Sequence, residues 1–193
     1  CSVCPAGSAC ATGSVSPVAC EAGTITANSG ASICDSCVAG TYQSESGKTA
    51  CAVSPAGSYS LARAVAETPC SPGQYAAVDG ASACDSCAVG SYQSGSRQTA
   101  CLSCPAGSYC EAGASAATAC AAGSFRSSPG GQSQAECDEC PAGSACPQGA
   151  TTPTVCAPGT HAASSGESAC AKCTAGSFQE YEGATACVDC TEG

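Results

Sequence analysis

The chain has 193 residues, of which 22 are Cys and only 16 are Leu, Ile, Val or Phe, and it contains no Trp and no Met. So few large apolar side chains cannot build an ordinary core, whereas this much cysteine marks a disulfide scaffold and calls for an oxidising, extracellular or cell-surface setting. Five basic against fifteen acidic residues give a net charge of −10, which disfavours nucleic acid and anionic bilayers as partners, and no apolar run approaches the ~18 residues of a membrane span.

No signal sequence opens the chain, so we read it as an excerpt of a longer mature protein. C-x-x-C, or its remnant, begins at Cys1, Cys34, Cys51, Cys84, Cys101, Cys137, Cys170 and Cys187, in steps of 33, 17, 33, 17, 36, 33 and 17 residues. Long and short units alternate into a 50-residue super-repeat, interrupted where two long units follow each other at 101 and 137. A fixed period of this kind marks a linear array whose units touch mainly their neighbours. The expected organisation is a repeat at 1–50, a second at 51–100 lacking one bridge, a long unit at 101–136, a repeat at 137–186, and the start of a further unit at 187–193.

The short unit is clearest at 34–51, CDSCVAGTYQSESGKTAC, and at 84–101, CDSCAVGSYQSGSRQTAC. After its second cysteine comes C-x-x-G-[ST]-[YF], then a Gly-containing bend, then the next cysteine. The same module follows Cys20, Cys70, Cys120, Cys156 and Cys173, and in six of the seven the next cysteine stands 14 positions on; Cys120 to Cys137 is longer by three. Such a span could extend ~45 Å, but bridged Cα atoms lie ~5.5 Å apart, so a bridge doubles the chain back. Bends at Asp79-Gly80, Gly130-Gly131 and Glu182-Gly183 fall where a hairpin needs positive φ. Each module therefore reads as a two-stranded hairpin with very short strands, and Gly, Pro and Ser are too frequent for helix. The predicted fold is an elongated linear array of small disulfide-rich repeats, with little helix and no large hydrophobic core.

The long unit adds a tight loop, C-P-A-G-S-x-C, at Cys4 to Cys10, Cys104 to Cys110 and Cys140 to Cys146. In the copy at 51–70, Ser54 and Ser60 stand where both of its cysteines would be, and Arg63 replaces the glycine found at Gly13, Gly113 and Gly149. Two cysteines lost together read as partners, since losing one would strand a thiol. This gives Cys4–Cys10, Cys104–Cys110 and Cys140–Cys146. The rest then fall into Cys20–Cys34, Cys37–Cys51, Cys70–Cys84, Cys87–Cys101, Cys120–Cys137, Cys156–Cys170 and Cys173–Cys187. Cys1 and Cys190 are left over, and Cys190-Thr-Glu-Gly193 opens another C-x-x-G module, as in an array that has been cut. A rival scheme closes each short-unit C-x-x-C on itself, as Cys34–Cys37, and joins Cys1 to Cys20; such small rings are strained and reducible.

C-x-x-G-[ST]-[YF] with its following loop, carried here by Cys37, Gly40, Tyr42 and Cys51 and again by Cys87, Gly90, Tyr92 and Cys101, resembles the cysteine-rich repeats of ephrin-receptor-like proteins. It is also similar to the single-disulfide module of tumour necrosis factor receptor ectodomains, a relative of EGF-like domains. The resemblance implies elongated, extracellular, disulfide-laddered modules in which the cysteine opening C-x-x-G bonds the next one. It further implies settings such as receptors, protist surface antigens and extracellular filaments, including the mastigonemes of algal flagella.

Other chemistries fit the residues less well. Cys84, Cys87, Cys101 and Cys104, and Cys170, Cys173, Cys187 and Cys190, approach zinc-ribbon spacing, but Ser54 would break one such quartet. A thioredoxin-like C-x-x-C needs a βαβ setting that is missing. Asp35, Asp85, Asp138 and Asp189 lie inside C-x-x-C links without the ligand density of a calcium site. His161, the single histidine, occupies the slot held elsewhere by Tyr42, Tyr75, Tyr92, Phe125 and Phe178, and reads as a ring covering a disulfide rather than a catalyst. Seven of the eight Tyr and Phe residues sit in that slot, with Tyr181 outside it. Asn28 is followed by Ser-Gly and is no N-linked acceptor, whereas Ser-Pro and Thr-Pro steps at Ser16, Thr68, Ser71, Ser128 and Thr152 are candidates for O-linked sugar. We expect no catalytic, cofactor or metal site. The expected partners are copies of the chain itself or other filament or coat proteins, in an extracellular structural role. The ectodomain or stalk of a surface receptor or antigen is the alternative, and the irregular unit at 51–70, with Leu61, Arg63 and Val65, is its candidate contact site or joint.

Overall fold

The computed structural model describes residues 3–190. The chain divides into two compact units, residues 1–87 with 93–101 and residues 88–92 with 102–193. Among the described residues both are built from antiparallel hairpins whose strands are two residues long, eleven in all, each sheet two-stranded and none closed. Among the described residues the helical content is one 3₁₀ turn, Gln134–Glu136.

The first unit contains five hairpins: Ser8–Ala9 with Val18–Ala19, Thr24–Ile25 with Asp35–Ser36, Thr41–Tyr42 with Ala52–Val53, Ser58–Tyr59 with Thr68–Pro69, and Gln74–Tyr75 with Asp85–Ser86. The second contains six: Ser91–Tyr92 with Leu102–Ser103, Ser108–Tyr109 with Thr118–Ala119, Ser124–Phe125 with Asp138–Glu139, Ser144–Ala145 with Thr154–Val155, Thr160–His161 with Ala171–Lys172, and Ser177–Phe178 with Val188–Asp189. We number them 1 to 11 in chain order.

The tight-loop segments are thus hairpins of the same design as the short unit. The C-x-x-G motifs at Cys4, Cys20, Cys37, Cys70, Cys87, Cys104, Cys120, Cys140, Cys156 and Cys173, together with Ser54-Pro-Ala-Gly57, each open one, in steps of 16 or 17 residues except for the 20 between Cys120 and Cys140, whereas those at Cys10, Cys110 and Cys146 place their glycine in the bend. The first strand begins directly after the glycine. The second ends directly before the cysteine (or Ser54) that opens the next hairpin. The middle residues of each C-x-x-C from Cys34 onward are therefore a strand, Asp35–Ser36 for example, which is extended chain.

The motif follows from local bonding. The hydroxyl after the glycine donates back to the carbonyl three residues earlier, as in Thr41 Oγ1 to Val38 O at 2.8 Å and Ser108 Oγ to Pro105 O at 2.7 Å. This closes the turn and accounts for Ser or Thr at that position. The glycine carbonyl accepts from the residue that opens the next hairpin, as Ser54 N–H to Gly40 O at 2.9 Å. The glycine-carbonyl bond recurs in all eleven described hairpins, whichever cysteine is cross-linked.

Hairpins 2 and 3, like hairpins 10 and 11, are joined by three backbone hydrogen bonds in the same register. Between hairpins 2 and 3 they are Gly23 N–H to Gln43 O (2.8 Å), Thr26 N–H to Lys48 O (3.3 Å) and Gly47 N–H to Cys20 O (2.7 Å). Between hairpins 10 and 11 they are Gly159 N–H to Gln179 O (2.7 Å), Ala162 N–H to Ala184 O (3.0 Å) and Gly183 N–H to Cys156 O (2.9 Å). The set survives the longer loop of hairpin 8, where Gly123 N–H still reaches Cys146 O at 2.8 Å and Gly149 N–H reaches Cys120 O at 3.0 Å. The extra residues there are absorbed by the 3₁₀ turn, and Arg126 ties it down through the Glu136 carbonyl (2.9 Å) and carboxylate (3.1 Å).

The buried residues are cystines and small side chains: Cys20, Cys37, Cys70, Cys104, Cys140 and Cys156, with Ala76, Ala162, Ser54, Ser58 and Ser60. The core is a row of sulfur pairs, in keeping with the composition.

Two glycine positions behave differently. Gly40 has φ 86°, its N–H donates to Ser60 O at 2.7 Å, and a Cβ there would run into the carbonyl oxygen of Gly80, two hairpins on. At Gly113 in the bend φ is 70°, but a Cβ would meet nothing within 4 Å. Arg63 (φ 64°) and Arg97 (φ 59°) hold the same bend position in hairpins 4 and 6. We expect Gly113→Ala to cost roughly 1–2 kcal/mol for the left-handed backbone alone. Gly40→Ala adds overpacking of about 1–3 kcal/mol and weakens an inter-hairpin bond. Thermal melts of the two variants check the order.

Candidate functional site

Ten disulfides lie within the two units, with Cα–Cα separations of 5.6–6.0 Å. Three span six residues: Cys4–Cys10, Cys104–Cys110 and Cys140–Cys146. Six span fourteen: Cys20–Cys34, Cys37–Cys51, Cys70–Cys84, Cys87–Cys101, Cys156–Cys170 and Cys173–Cys187. Cys120–Cys137 spans seventeen. The rival C-x-x-C rings do not form, because the strand between the two cysteines holds them apart. Cys190 is an exposed free thiol, and Cys1 lies outside the described residues.

Hairpin 4 shows what replaces a bridge. Ser54 and Ser60, both fully buried, meet through their hydroxyls at 2.6 Å, and the backbone around them matches its neighbours: Gly57 N–H to Ala76 O at 2.9 Å, Gly80 N–H to Ser54 O at 2.8 Å. The segment 51–70 is irregular in its cross-link and regular in its backbone. A hydrogen bond stands where a covalent rung stands in hairpins 1, 7 and 9.

The ring slot is the second strand position of each hairpin. Tyr42, Tyr59, Tyr75, Tyr92, Tyr109, Phe125 and His161 are all partly buried there. Phe125 packs on Cys140, Cys146 and Ala150 of hairpin 9. His161 Nδ1 lies 3.2 Å from Cys187 Sγ in hairpin 11. In both cases the ring of one hairpin covers the disulfide of the next.

Within the first unit, Tyr42, Glu67 and Arg97 form a polar cluster that the sequence pattern did not signal. Arg97 Nη2 is 3.4 Å from Glu67 Oε1. The Glu67 carboxyl is held below its ordinary value of 4.5, first by its own backbone N–H against a smaller opposing push from burial, with the Arg97 guanidinium and the Tyr42 hydroxyl adding to it. The three residues are far apart in sequence and meet only because of the stacking register.

Metal chemistry finds little to work with. Among the described residues, the one group of three potential ligands within 4.8 Å of one another is His161, Cys173 and Cys187, and its two sulfurs are joined to each other. The cysteines of both zinc-like quartets are likewise in bridges, Cys190 excepted. Asp35, Asp85, Asp138 and Asp189 are exposed on four separate hairpins. A cleft of about 290 Å³ brings Glu21 and Arg63 to walls of Ala9, Val18 and Thr24, which supplies opposite charges but no nucleophile held by a base.

Residues 73–117 match the family model described as tyrosine-protein kinase ephrin type A/B receptor-like. No curated protein matches the chain. The matched segment runs from the glycine of hairpin 5 into hairpin 7, across one fourteen-residue and one six-residue bridge.

Ser54→Ala should leave the Ser60 hydroxyl buried without its partner and cost about 1–3 kcal/mol. Joint Ser54→Cys and Ser60→Cys substitution should close an eleventh bridge worth about 2 kcal/mol for so short a loop; intact mass after alkylation and melting temperature read both. Because the folded Glu67 carboxyl titrates below the unfolded one, its contribution is complete above the unfolded value and is lost as pH falls through the folded value. Melts of the wild type and Glu67→Gln should therefore differ at neutral pH and converge in acid.

Proposed function

Because residues 73–117 are an ephrin-receptor-like cysteine-rich repeat, set in a chain carrying ten disulfides, we infer that this is an extracellular structural protein whose hairpins present a repeating face to copies of itself or to other coat proteins, in a filament or surface coat such as a flagellar hair. The observation that supports this reading is the constant register of inter-hairpin backbone bonds, from Gly7 N–H to Thr26 O (3.0 Å) through Gly159 N–H to Gln179 O (2.7 Å). It repeats the same backbone geometry from hairpin to hairpin, and a repeating geometry suits lateral or end-to-end packing. The bridges and the family match point to an oxidising, extracellular or cell-surface location. No helix among the described residues is long and apolar enough to cross a membrane.

Ser16, Thr68, Ser71, Ser128 and Thr152, each followed by proline, are all exposed, so O-linked sugar along the surface is sterically open. The receptor named in the family description favours a second reading, the ectodomain or stalk of a surface receptor or antigen that binds a protein ligand. Electron microscopy of native material separates the two. Fibres or a coat with a regular subunit repeat support the structural role. Isolated monomers, together with a saturable protein ligand, overturn it in favour of the receptor.

A further inference from the structure

One of the eleven ring slots holds a side chain that can transfer a proton near neutral pH: His161. Its Nδ1 lies 3.2 Å from Cys187 Sγ, and Nδ1 and both sulfurs of Cys173–Cys187 are within 4.8 Å of one another. A disulfide sulfur has no proton to give, so the Nδ1–H donates. Two hairpins earlier the slot holds Phe125 over Cys140–Cys146, where the ring covers the sulfurs and offers them nothing.

We propose that Cys173–Cys187 is an exchangeable bridge that reacts with low-molecular-weight thiols of the glutathione class, with His161 as the proton donor to the leaving sulfur. The thiolate of the small thiol attacks Cys173 Sγ and forms a new S–S bond there. The electron pair of the old bond leaves on Cys187 Sγ, which takes the Nδ1 proton of the imidazolium, and the ring is left neutral. A second small-thiol anion then attacks the outer sulfur of the mixed disulfide. It releases the oxidised dimer of the small thiol and the Cys173 thiolate, which is protonated from solvent. Two small thiols are oxidised and one bridge is reduced. Attack is directed to Cys173 because a leaving thiolate is stabilised at the sulfur beside the proton donor.

The test uses the full chain with its free thiols first blocked by N-ethylmaleimide. Reduced glutathione is added, the reaction is trapped with iodoacetamide at intervals, and each bridge is followed by peptide mass spectrometry. Cys173–Cys187 should open before Cys70–Cys84, with glutathione trapped on Cys173. His161→Phe places in the slot the residue that Phe125 and Phe178 already provide, so the hairpin should still fold. It should slow that bridge at least about 10-fold, the low side of what a positioned proton donor contributes, and leave the other nine unchanged. A variant that opens this bridge as fast as the wild type overturns the proposal. Equal slowing of all bridges, or glutathione trapped on Cys187, overturns it too.

Discussion

The peptide group of the C-x-x-G glycine is the constraint on which the remaining structure depends. Its carbonyl closes its own hairpin and its N–H is the first bond to the following one, as Gly40 does with Ser54 N–H at 2.9 Å and Ser60 O at 2.7 Å. Gly40 takes a positive φ of 86°, and the approach of the Gly80 bend leaves it no room for a side chain. Backbone groups are obligatory hydrogen-bonding partners. A chain that satisfies them between adjacent hairpins gains order without needing large apolar residues, provided something else offsets the conformational entropy it gives up.

The disulfides supply that offset, and they vary more freely than the backbone does. The first cysteine of a hairpin bonds six, fourteen or seventeen residues on, and in hairpin 4 the bond is replaced by a pair of hydroxyls. Each bridge removes roughly 3 kcal/mol worth of unfolded-chain freedom, although bridges on adjacent hairpins do not contribute independently. One backbone design under several cross-link patterns means that the register is set by glycine, hydroxyl and peptide bonds. The sulfurs then stabilise a shape they do not choose.

This explains what the sequence made legible. The disulfide-rich class, the short hairpins and the bends at Gly80, Gly130 and Gly183 follow from local chemistry, because cysteine spacing and glycine are both visible in the string. The finer period was obscured by counting C-x-x-C: where a tight loop such as Cys4 to Cys10 places the second cysteine early, no C-x-x-C marks the boundary before Cys20, and two hairpins look like one long unit. Counting the glycines that directly precede a first strand, Gly7, Gly23, Gly40 and Gly57 among them, recovers it, whereas the bare C-x-x-G also matches the bend glycines Gly13, Gly113 and Gly149. The strand inside each C-x-x-C was less accessible, since a two-residue strand has no periodicity to read. The ring slot marked His161 as the cover of a disulfide without saying that it was Cys173–Cys187, and contacts set by stacking register alone, such as Glu67 with Arg97, had no local signal.

A structure bonded mainly between neighbours has local rather than global stability, as in other repeat proteins, where each step contributes its own terms. The weakest step then matters more than the average. In hairpin 4 the chain from Cys51 to Cys70 carries no covalent rung, and the buried Ser54–Ser60 pair contributes about 1 kcal/mol net where a bridge would contribute more. Its backbone bonds to hairpins 3 and 5 are intact, so the folded form is the same as its neighbours' while its cost of opening is lower. Regular backbone bonding can thus coexist with uneven resilience: local opening under heat or load is concentrated where sulfur has been replaced by oxygen.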